Sequence, residues 1–227
     1  MTSSHSSPQC TAIIVAAGAS RRMGFDKLAS PLAGAPVLRK TLDAFLAADS
    51  ITEIIVVCPL QRWEQIIGGG EYTKLVRRID GGLNRQDSVA AGLRAVSKSV
   101  ELVAVHDGAR PLVAPSDIDR CVDVARIHRA ATLARRVTET LKRSDCDDFS
   151  AGPISRENLW FMETPQIFEA SLLRQAYEFI EQQSLVVTDE VSAVEALGTH
   201  AKFVESGHSN FKITTPADLA LAEALLR

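Results

Sequence analysis

The sequence predicts an α/β protein in which a mostly parallel sheet lies between two layers of helices. Strand-like and helix-like segments alternate from residue 11 onward. The first strand-like segment, 11–17, is a short, β-branched run without polar interruption, which is typical of a parallel strand buried on both faces. The intervening segments repeat apolar residues at helical spacing, and right-handed crossovers place such helices on both faces of the sheet.

The first half of the chain alternates strands and helices without a break. Strands are predicted at 11–17, 52–58, 74–80 and 101–107, and helices at 36–49, 62–67, 85–97 and 114–128. Pro36 and Pro115 fit the first turn of their helices, where proline loses no hydrogen bond. The glycine pair at 81–82 ends the third strand.

The second half contains a polar excursion between further strands and helices. Strands are predicted at 131–137, 166–168, 201–206 and 211–214, and helices at 169–183, 189–197 and 214–227. Thr188 is expected to cap the second of these helices, while Thr215 and Asp218 are close to a capping box for the last one. Residues 138–163 are polar, rich in aspartate and weakly periodic, which predicts a projecting β-arm.

Length and composition predict one domain and exclude several classes of protein. The 227 residues fit a single domain at 11–227, preceded by a disordered tail at 1–10 that is rich in serine. A net charge of −3 provides no global basic field, so a nucleic-acid partner is not expected. No apolar run approaches the ~20 residues of a membrane span. The four cysteines form no C-x-x-C pair, which favours reduced thiols in the cytoplasm over disulfides or a zinc site.

A loop of small residues followed by cations comes directly after the first strand. Ala16, Ala17 and Gly18 leave the backbone open to a flat ring or a phosphate. Arg22 adds a planar donor fork and Lys27 a compact charge, and together they suit a triphosphate. The pattern matches neither the P-loop nor the dinucleotide fingerprint. From the loop alone, a solvated turn with scattered cations is an equal alternative.

Two other strand ends carry candidate functional groups. Asp107 ends a strand, where its carboxylate can hold a metal that carries phosphates or a ribose hydroxyl, or can simply close a turn. His106 is expected to be a hydrogen-bonded core residue. The backbone at Gly82 and the hydroxyl of Ser88 can contact a base edge, although a glycine pair commonly just ends a strand.

The acidic triplet at 145–147 offers a competing interpretation. Its D-x-D pattern matches metal-dependent glycosyltransferases. It lies in the polar excursion and not at a strand end, which favours a solvated turn.

The motifs, taken in order, resemble one family. They are AAGASRRMG…DK, GG…R-x-DSV-x-AGL, VHDGARP, TETLKR, TPQIF, TDEVSAVE and KIT-x-P-x-DLALAE. Over residues 11–227 the chain resembles the 2-C-methyl-D-erythritol 4-phosphate cytidylyltransferases of the non-mevalonate isoprenoid pathway. The resemblance implies a Rossmann-like three-layer α/β/α nucleotidyltransferase fold and a homodimer formed through the β-arms. It also implies CTP and a polyol phosphate as substrates, with Mg²⁺ as cofactor.

The resemblance implies a role for each matching residue. The residues expected to act in catalysis are Arg22, Lys27 and Lys212, of which Arg22 and Lys27 are expected to grip the triphosphate. Those expected to hold the nucleotide are Ala16, Ala17, Gly18, Gly82, Ser88 and Asp107, the last also near the metal. Those expected to face the acceptor are Arg110, Thr140, Arg156, Thr164, Thr188 and Lys212, with Thr140 and Arg156 coming from the partner's arm.

The chain departs from the family pattern after Gly82, where many members have a polar or acidic residue near the cytosine and this chain has Leu83. The departure is harmless if the contact with the base is made by the backbone.

The expected chemistry is attack of a phosphate oxygen on the α-phosphorus of CTP, which needs no general base because a phosphate monoester has its second pKa near 6. The alternatives are a ribitol 5-phosphate cytidylyltransferase, another sugar-phosphate nucleotidyltransferase, a metal-dependent glycosyltransferase and an inactive binding module.

Overall fold

The chain is built around a seven-stranded sheet flanked by helices. The structure, a computed structural model, describes residues 10–18 and 24–226. The strands are β1 (Cys10–Val15), β2 (Pro31–Leu32), β3 (Ala35–Pro36), β4 (Ile51–Val57), β5 (Leu75–Ile79), β6 (Leu102–Asp107), β7 (Ala130–Arg136), β8 (Leu141–Ser144), β9 (Ser150–Ile154), β10 (Trp160–Glu169) and β11 (Lys202–Glu205). The helices are α1 (Val37–Ala47), α2 (Leu60–Ile66), α3 (Arg85–Ala95), α4 (Pro115–His128), α5 (Ala170–Gln182), α6 (Glu190–Glu195) and α7 (Pro216–Leu225).

The central sheet has the order β11-β7-β10-β6-β1-β4-β5. Strand β10 runs antiparallel to both of its neighbours, β6 and β7, and the remaining neighbours pair in parallel. The prediction of a mostly parallel sheet is therefore confirmed. The short pairs β2–β3 and β8–β9 lie outside this sheet.

The two faces of the sheet bury separate apolar clusters, which produces three layers. Within β1, Ile14 packs in one cluster with residues of α1 and α4, and Ile13 packs in the other with residues of α3, α5 and α6. Both isoleucines are fully buried. Successive side chains of a strand point to opposite faces, so an unbroken apolar run is what a strand between two helical layers requires.

Helix caps agree with the sequence in one case and differ in another. Thr215 and Asp218 form the predicted capping box at the start of α7. The prediction of Thr188 as the cap of α6 is wrong. Asp189 is the cap, and its side chain accepts a hydrogen bond from the backbone N–H of Ser192 at 3.0 Å. A side chain one residue earlier does not occupy the N-cap position, which bonds the second or third N–H of the helix.

Three strand predictions differ from the structure. Residues 211–214 form no strand, although the backbone N–H of Ile213 donates to Ala109 O at 2.9 Å. Strand β10 is much longer than the predicted 166–168. Strand β1 begins at Cys10, which is buried and so does not belong to the predicted tail. The rest of that tail, residues 1–9, lies outside the described residues.

The polar excursion contains the β8–β9 hairpin, and its last residues, 160–163, belong to β10 in the central sheet. The acidic triplet lies at the hairpin turn, where Asp145 Oδ1 accepts from the N–H groups of Asp147 at 3.0 Å and Phe149 at 2.9 Å. This is the solvated turn that the sequence favours. Across the residues with described structure, no helix is long and apolar enough to cross a membrane.

Candidate active site

The loops that follow three strands meet at one edge of the sheet. Val15 of β1 lies beside Val57 of β4 on one side and beside Asp107 of β6 on the other. Backbone hydrogen bonds continue past the strand ends, from Ala16 N to Val57 O at 2.8 Å and from Gly108 N to Val15 O at 2.9 Å. The carboxyl ends of parallel strands are where α/β proteins bind ligands.

The glycine pair packs directly against the loop after β1. A Cβ atom added to Gly81 would lie 2.3 Å from Ala17 Cβ, so only glycine allows this approach. The buried hydroxyl of Ser88 accepts from Gly82 N at 3.1 Å and donates to Asn84 O at 2.9 Å. Ser88 thus holds the glycine loop in place, and it is the backbone of that loop that lies beside the loop after β1.

The side chain of Leu83 is fully exposed, at 102% of its reference area. Ala16 is buried, Ala17 is half-buried and Gly18 is exposed. This part of the edge therefore presents backbone and small side chains, in agreement with a base contact that does not depend on the side chain at position 83.

Asp107 lies at the centre of a cluster of cations. Its Oδ2 is 2.9 Å from Lys212 Nζ and 3.6 Å from Arg110 Nε, and its Oδ1 is 3.1 Å from Arg85 Nε. Burial opposes ionisation of this carboxyl, but attraction to Lys212, Arg85 and Arg110 outweighs it and places the pKa of Asp107 far below its ordinary value. The carboxylate is therefore charged throughout the physiological range.

Lys27 and Lys212, both predicted to act in catalysis, are linked through Ile213. Lys27 Nζ donates to Ile213 O at 2.8 Å, and Ile213 follows Lys212 directly in the chain. The backbone N–H of Ile213 donates to Ala109 O at 2.9 Å, which holds the segment at 212–213 against the loop after β6. Residues 27 and 212 are 185 positions apart (212 − 27), yet the Lys27 ammonium group bonds the residue next to Lys212. The third predicted cation, Arg22, lies outside the described residues.

Thr164 forms hydrogen bonds with the last two residues of β6, His106 and Asp107. Its hydroxyl accepts from Asp107 N at 3.1 Å and lies 2.9 Å from His106 Nδ1. The other ring nitrogen, Nε2, is 3.2 Å from Arg110 O, a carbonyl that can only accept. The neutral His106 ring therefore donates through Nε2, and Thr164 donates to Nδ1. His106 is the hydrogen-bonded core residue that the sequence predicts.

Arg110 lies in the wall of the site. Its guanidinium donates to Asn210 O at 2.7 Å and to Met162 O at 3.3 Å. Its Nε is buried with no hydrogen-bond partner in the described part of the chain, although Asp107 Oδ2 lies 3.6 Å away as an ion-pair partner. Arg110 thus joins the loop after β6 to the segment that carries Lys212.

Sequence reasoning assigned no role to Arg85, which the structure places at the centre of the site. Its Nη1 and Nη2 bond Glu190 Oε1 at 2.7 Å and Oε2 at 2.9 Å, while its Nε bonds Asp107. Glu190 is fully buried and also accepts from Tyr177 OH at 3.0 Å. The family motif R-x-DSV contains Arg85 and the motif TDE contains Glu190, so the motifs marked the residues without revealing the bidentate pair.

The remaining predicted acceptor residues lie at exposed positions. Thr188 is exposed and precedes α6 by two residues. Thr140 and Arg156 are exposed at the base of the hairpin, where Arg156 donates to Thr138 O. Within the described residues, no hydrogen bond or ion pair joins Thr140 or Arg156 to the Asp107 cluster, and their role remains a prediction.

A divalent metal would need ligands from outside the protein at this edge. The described part of the chain has no group of three or more His, Cys, Asp or Glu side chains that could hold a metal ion. Both oxygens of Asp107 already face cations. Mg²⁺ prefers carboxylate and phosphate oxygens, so this donor set fits an ion carried by the phosphates of a nucleotide, with Asp107 as the nearby protein carboxylate.

His106 gives the fold a pH dependence that can be measured. Burial lowers the pKa of His106 from 6.5 to about 3, so between these values the unfolded chain binds a proton that the folded chain does not. The free energy of unfolding should then rise with pH across this window, by up to roughly 1.4 kcal/mol per unit. We expect His106→Gln to flatten this slope in urea denaturation between pH 4 and 6. An equal slope in both proteins would contradict the assignment.

The chain places bare backbone beside the cations Lys212, Arg85 and Arg110 at the carboxyl end of the sheet in a three-layer α/β/α fold, the arrangement expected of a nucleotidyltransferase. Its residues 10–227 match the family model described as IspD: 2-C-methyl-D-erythritol 4-phosphate cytidylyltransferase. The chain belongs to this cytidylyltransferase family.

Relatives and solved structures agree with this assignment. The chain is 41% identical to the 2-C-methyl-D-erythritol 4-phosphate cytidylyltransferase of Prochlorococcus marinus, over 94% of this chain and 96% of that one. It is 37% identical to the chloroplastic enzyme of rice, over 94% of this chain and 73% of the other. The crystal structure of the Thermus thermophilus enzyme superposes with a TM-score of 0.78 at 34% identity, covering 95% of this chain and 97% of that chain.

Proposed function

We propose that this chain transfers CMP from CTP to 2-C-methyl-D-erythritol 4-phosphate. The products are 4-diphosphocytidyl-2-C-methyl-D-erythritol and pyrophosphate, in the non-mevalonate isoprenoid pathway. Family membership supports the choice of substrates. The observation that carries the proposal is that Lys27 bonds the residue next to Lys212 while Lys212 pairs with Asp107, because two anionic reactants need cations from several segments near the same strand ends.

The proposed reaction uses charge stabilisation and positioning without a general base. A phosphate oxygen of the acceptor forms a bond to the α-phosphorus of CTP as the bond to the pyrophosphate oxygen breaks. The acceptor is already ionised near neutral pH, since its second pKa is near 6. The protein must therefore align two anions that repel each other and neutralise the charge that develops on the leaving group. Lysine and arginine side chains are suited to both tasks.

The site divides into a nucleotide side and an acceptor side. On the nucleotide side, the backbone at Ala16–Gly18 and Gly82 receives the cytidine, and Ser88 holds the glycine loop. Asp107 is placed to accept from the ribose and to fix Lys212, and Lys27 faces the triphosphate together with Arg22. On the acceptor side we place Arg110, Thr164, Thr188 and Lys212, with Thr140 and Arg156 supplied by a second subunit.

The hairpin is the part of the molecule suited to joining two subunits. The exposed position of Arg156 at its base, with no described contact to its own Asp107 cluster, supports a role in a partner's site. We therefore include a homodimer formed through the arms in the proposal. We also include the cytoplasm as its location, since Cys10, Cys58 and Cys121 are buried free thiols that suit a reducing compartment.

Magnesium belongs to the proposal as a companion of CTP. Bound to the phosphates, it would supply positive charge at the developing pyrophosphate. Asp107 is the carboxylate that we place near this ion, and Lys212 and Arg85 compensate its charge.

The proposed function is tested by measuring pyrophosphate release from CTP with 2-C-methyl-D-erythritol 4-phosphate, with and without Mg²⁺. We expect equal amounts of pyrophosphate and of the cytidine diphosphate product, identified by mass, and little of either without the metal. Ribitol 5-phosphate in a parallel reaction should give much less. Failure to release pyrophosphate with the methylerythritol substrate, or release of a nucleoside diphosphate instead, would refute the proposal.

A further inference from the structure

Arg62 on α2 is a buried arginine whose hydrogen bonds to described residues go to the loop after β1 and to the turn at Asp26. Its Nη1 donates to Ala16 O, its Nη2 to Gly18 O at 3.2 Å and its Nε to Asp26 Oδ2 at 2.8 Å. The side chain is only 10% exposed. A guanidinium is the one side-chain group with enough donors in a fixed plane to reach three such acceptors at once.

Arg62 donates hydrogen bonds to carbonyl oxygens that would otherwise repel the phosphates of a nucleotide. The carbonyls of Ala16 and Gly18 belong to the backbone stretch that the proposed function assigns to cytidine. A free carbonyl oxygen facing a triphosphate would repel it, whereas a carbonyl bonded to a buried cation is turned away and compensated. The guanidinium thus fixes the orientation of the stretch and adds positive charge behind it.

Arg62 also holds the turn that carries Lys27. Asp26 Oδ2 accepts a hydrogen bond from Arg62 Nε. Asp26 Oδ1 accepts from Leu28 N at 3.1 Å, which closes the turn that begins at Asp26. The carbonyl of Asp26 accepts from Ser30 Oγ at 3.2 Å. Lys27 is the next residue in this turn, so a shift of Asp26 moves the Lys27 backbone with it.

We propose that Arg62 is a positioning residue for CTP, setting the distance between the backbone at Ala16–Gly18 and the ammonium group of Lys27. The inference rests on the proposed function of that site. Arg62 does not touch substrate, and it acts on the two loop segments that do. Its loss should impair the use of CTP and leave the acceptor side, near Thr188, unchanged.

The test compares Arg62→Met and Arg62→Lys with the wild-type protein. Because misplacement by about 1 Å can cost about a hundredfold in rate, we expect Arg62→Met to weaken CTP binding and to lower kcat by about tenfold or more each. The KM for the acceptor should stay within about twofold. Arg62→Lys keeps the charge but cannot reach three acceptors, so it should not restore activity. Calorimetry with CTP and pyrophosphate release measure the two effects.

Arg77→Met is the matched control. Arg77 also bonds one carboxylate, Glu53 at 2.7 Å through Nε, and one carbonyl, Ala95 O at 3.1 Å, but it lies on β5 away from the loop after β1. The control should keep CTP affinity and kcat near the wild-type values. Equal losses in Arg62→Met and Arg77→Met, in step with their melting temperatures, would show that Arg62 only stabilises the fold and would overturn the inference.

Asp26→Asn tests the same link when Arg62→Met does not fold. Both carboxylate oxygens of Asp26 accept, so the amide must place its NH2 against either the Arg62 Nε donor or the Leu28 N–H donor. The kcat should therefore fall, and the double variant of Asp26→Asn with Arg62→Lys should lose less than the sum of the single effects. Wild-type CTP affinity and kcat in Asp26→Asn and Arg62→Lys would overturn the inference. These outcomes differ from failure of the proposed function, in which the wild-type protein itself releases no pyrophosphate.

Discussion

Replacing Lys27 with alanine is expected to lower kcat by on the order of a hundredfold or more, as removal of one charge-stabilising donor does in other enzymes. The ammonium group lies 2.8 Å from the carbonyl oxygen of Ile213, the residue that follows Lys212. Its charge matters most when negative charge builds up on the leaving pyrophosphate, so the loss should appear mainly in kcat. Steady-state pyrophosphate release, with both substrates varied, measures it.

Lys98→Ala provides the control for removal of a lysine. Lys98 is exposed between α3 and β6, near the start of β6 and so at the opposite edge of the sheet from Asp107. The kcat of Lys98→Ala should remain near the wild-type value. The melting temperatures of Lys98→Ala and Lys27→Ala should also remain near that of the wild-type protein. Near-normal turnover in Lys27→Ala would show that Lys27 does not act in the site.

The layered fold was predictable because its strands are buried on both faces. Ile13 and Ile14, adjacent in β1, pack in the two different clusters, and the run from Ala12 to Val15 is wholly apolar. The intervening segments have apolar residues at helical spacing, and packing these helices on both faces of the sheet buries their apolar sides. Local sequence patterns were enough to predict the layers, because the spacing of apolar residues in each element shows which of its faces is buried.

The elements that were predicted wrongly depend on distant partners. Strand β10 contains Pro165, which cannot donate to a ladder, and its register with β7 shifts between Met162 and Gln166. The segment at 211–214 has the composition of a strand, but it is held by bonds of Ile213 to Lys27 and Ala109 and joins no sheet. Neither feature has a local signature.

The site shows the same division between local and distant information. The location of Asp107 at a strand end, with Lys212 beside it, follows from local information, because family motifs mark these residues and strand ends are the expected place for ligands; their role in the reaction stays a prediction. Arg62 lies on a helix of weak periodicity, and its acceptors at Ala16 and Gly18 are 46 and 44 positions away in the chain. Only the folded backbone shows which carbonyls a buried guanidinium reaches.

Mixing Arg156→Ala with Lys27→Ala subunits is expected to restore activity that neither variant has alone. If the arm of one subunit completes the site of the other, a mixed dimer contains one site with both substitutions and one intact site. Random exchange of subunits makes half of the dimers mixed, so recovery should approach about a quarter of wild-type activity in a symmetric dimer. The measurement is pyrophosphate release after partial denaturation and joint refolding.

Mixing Lys27→Ala with Lys212→Ala is the decisive control for this experiment. Lys27 bonds the carbonyl of Ile213 within one chain, so Lys27 and Lys212 belong to the site of the same subunit. A mixed dimer of these two variants contains no intact site and should recover nothing. Recovery in the first mixture and none in the second requires that Arg156 act across the dimer. Absence of recovery in both, with mixed dimers demonstrated by mass, would place Arg156 outside the partner's site.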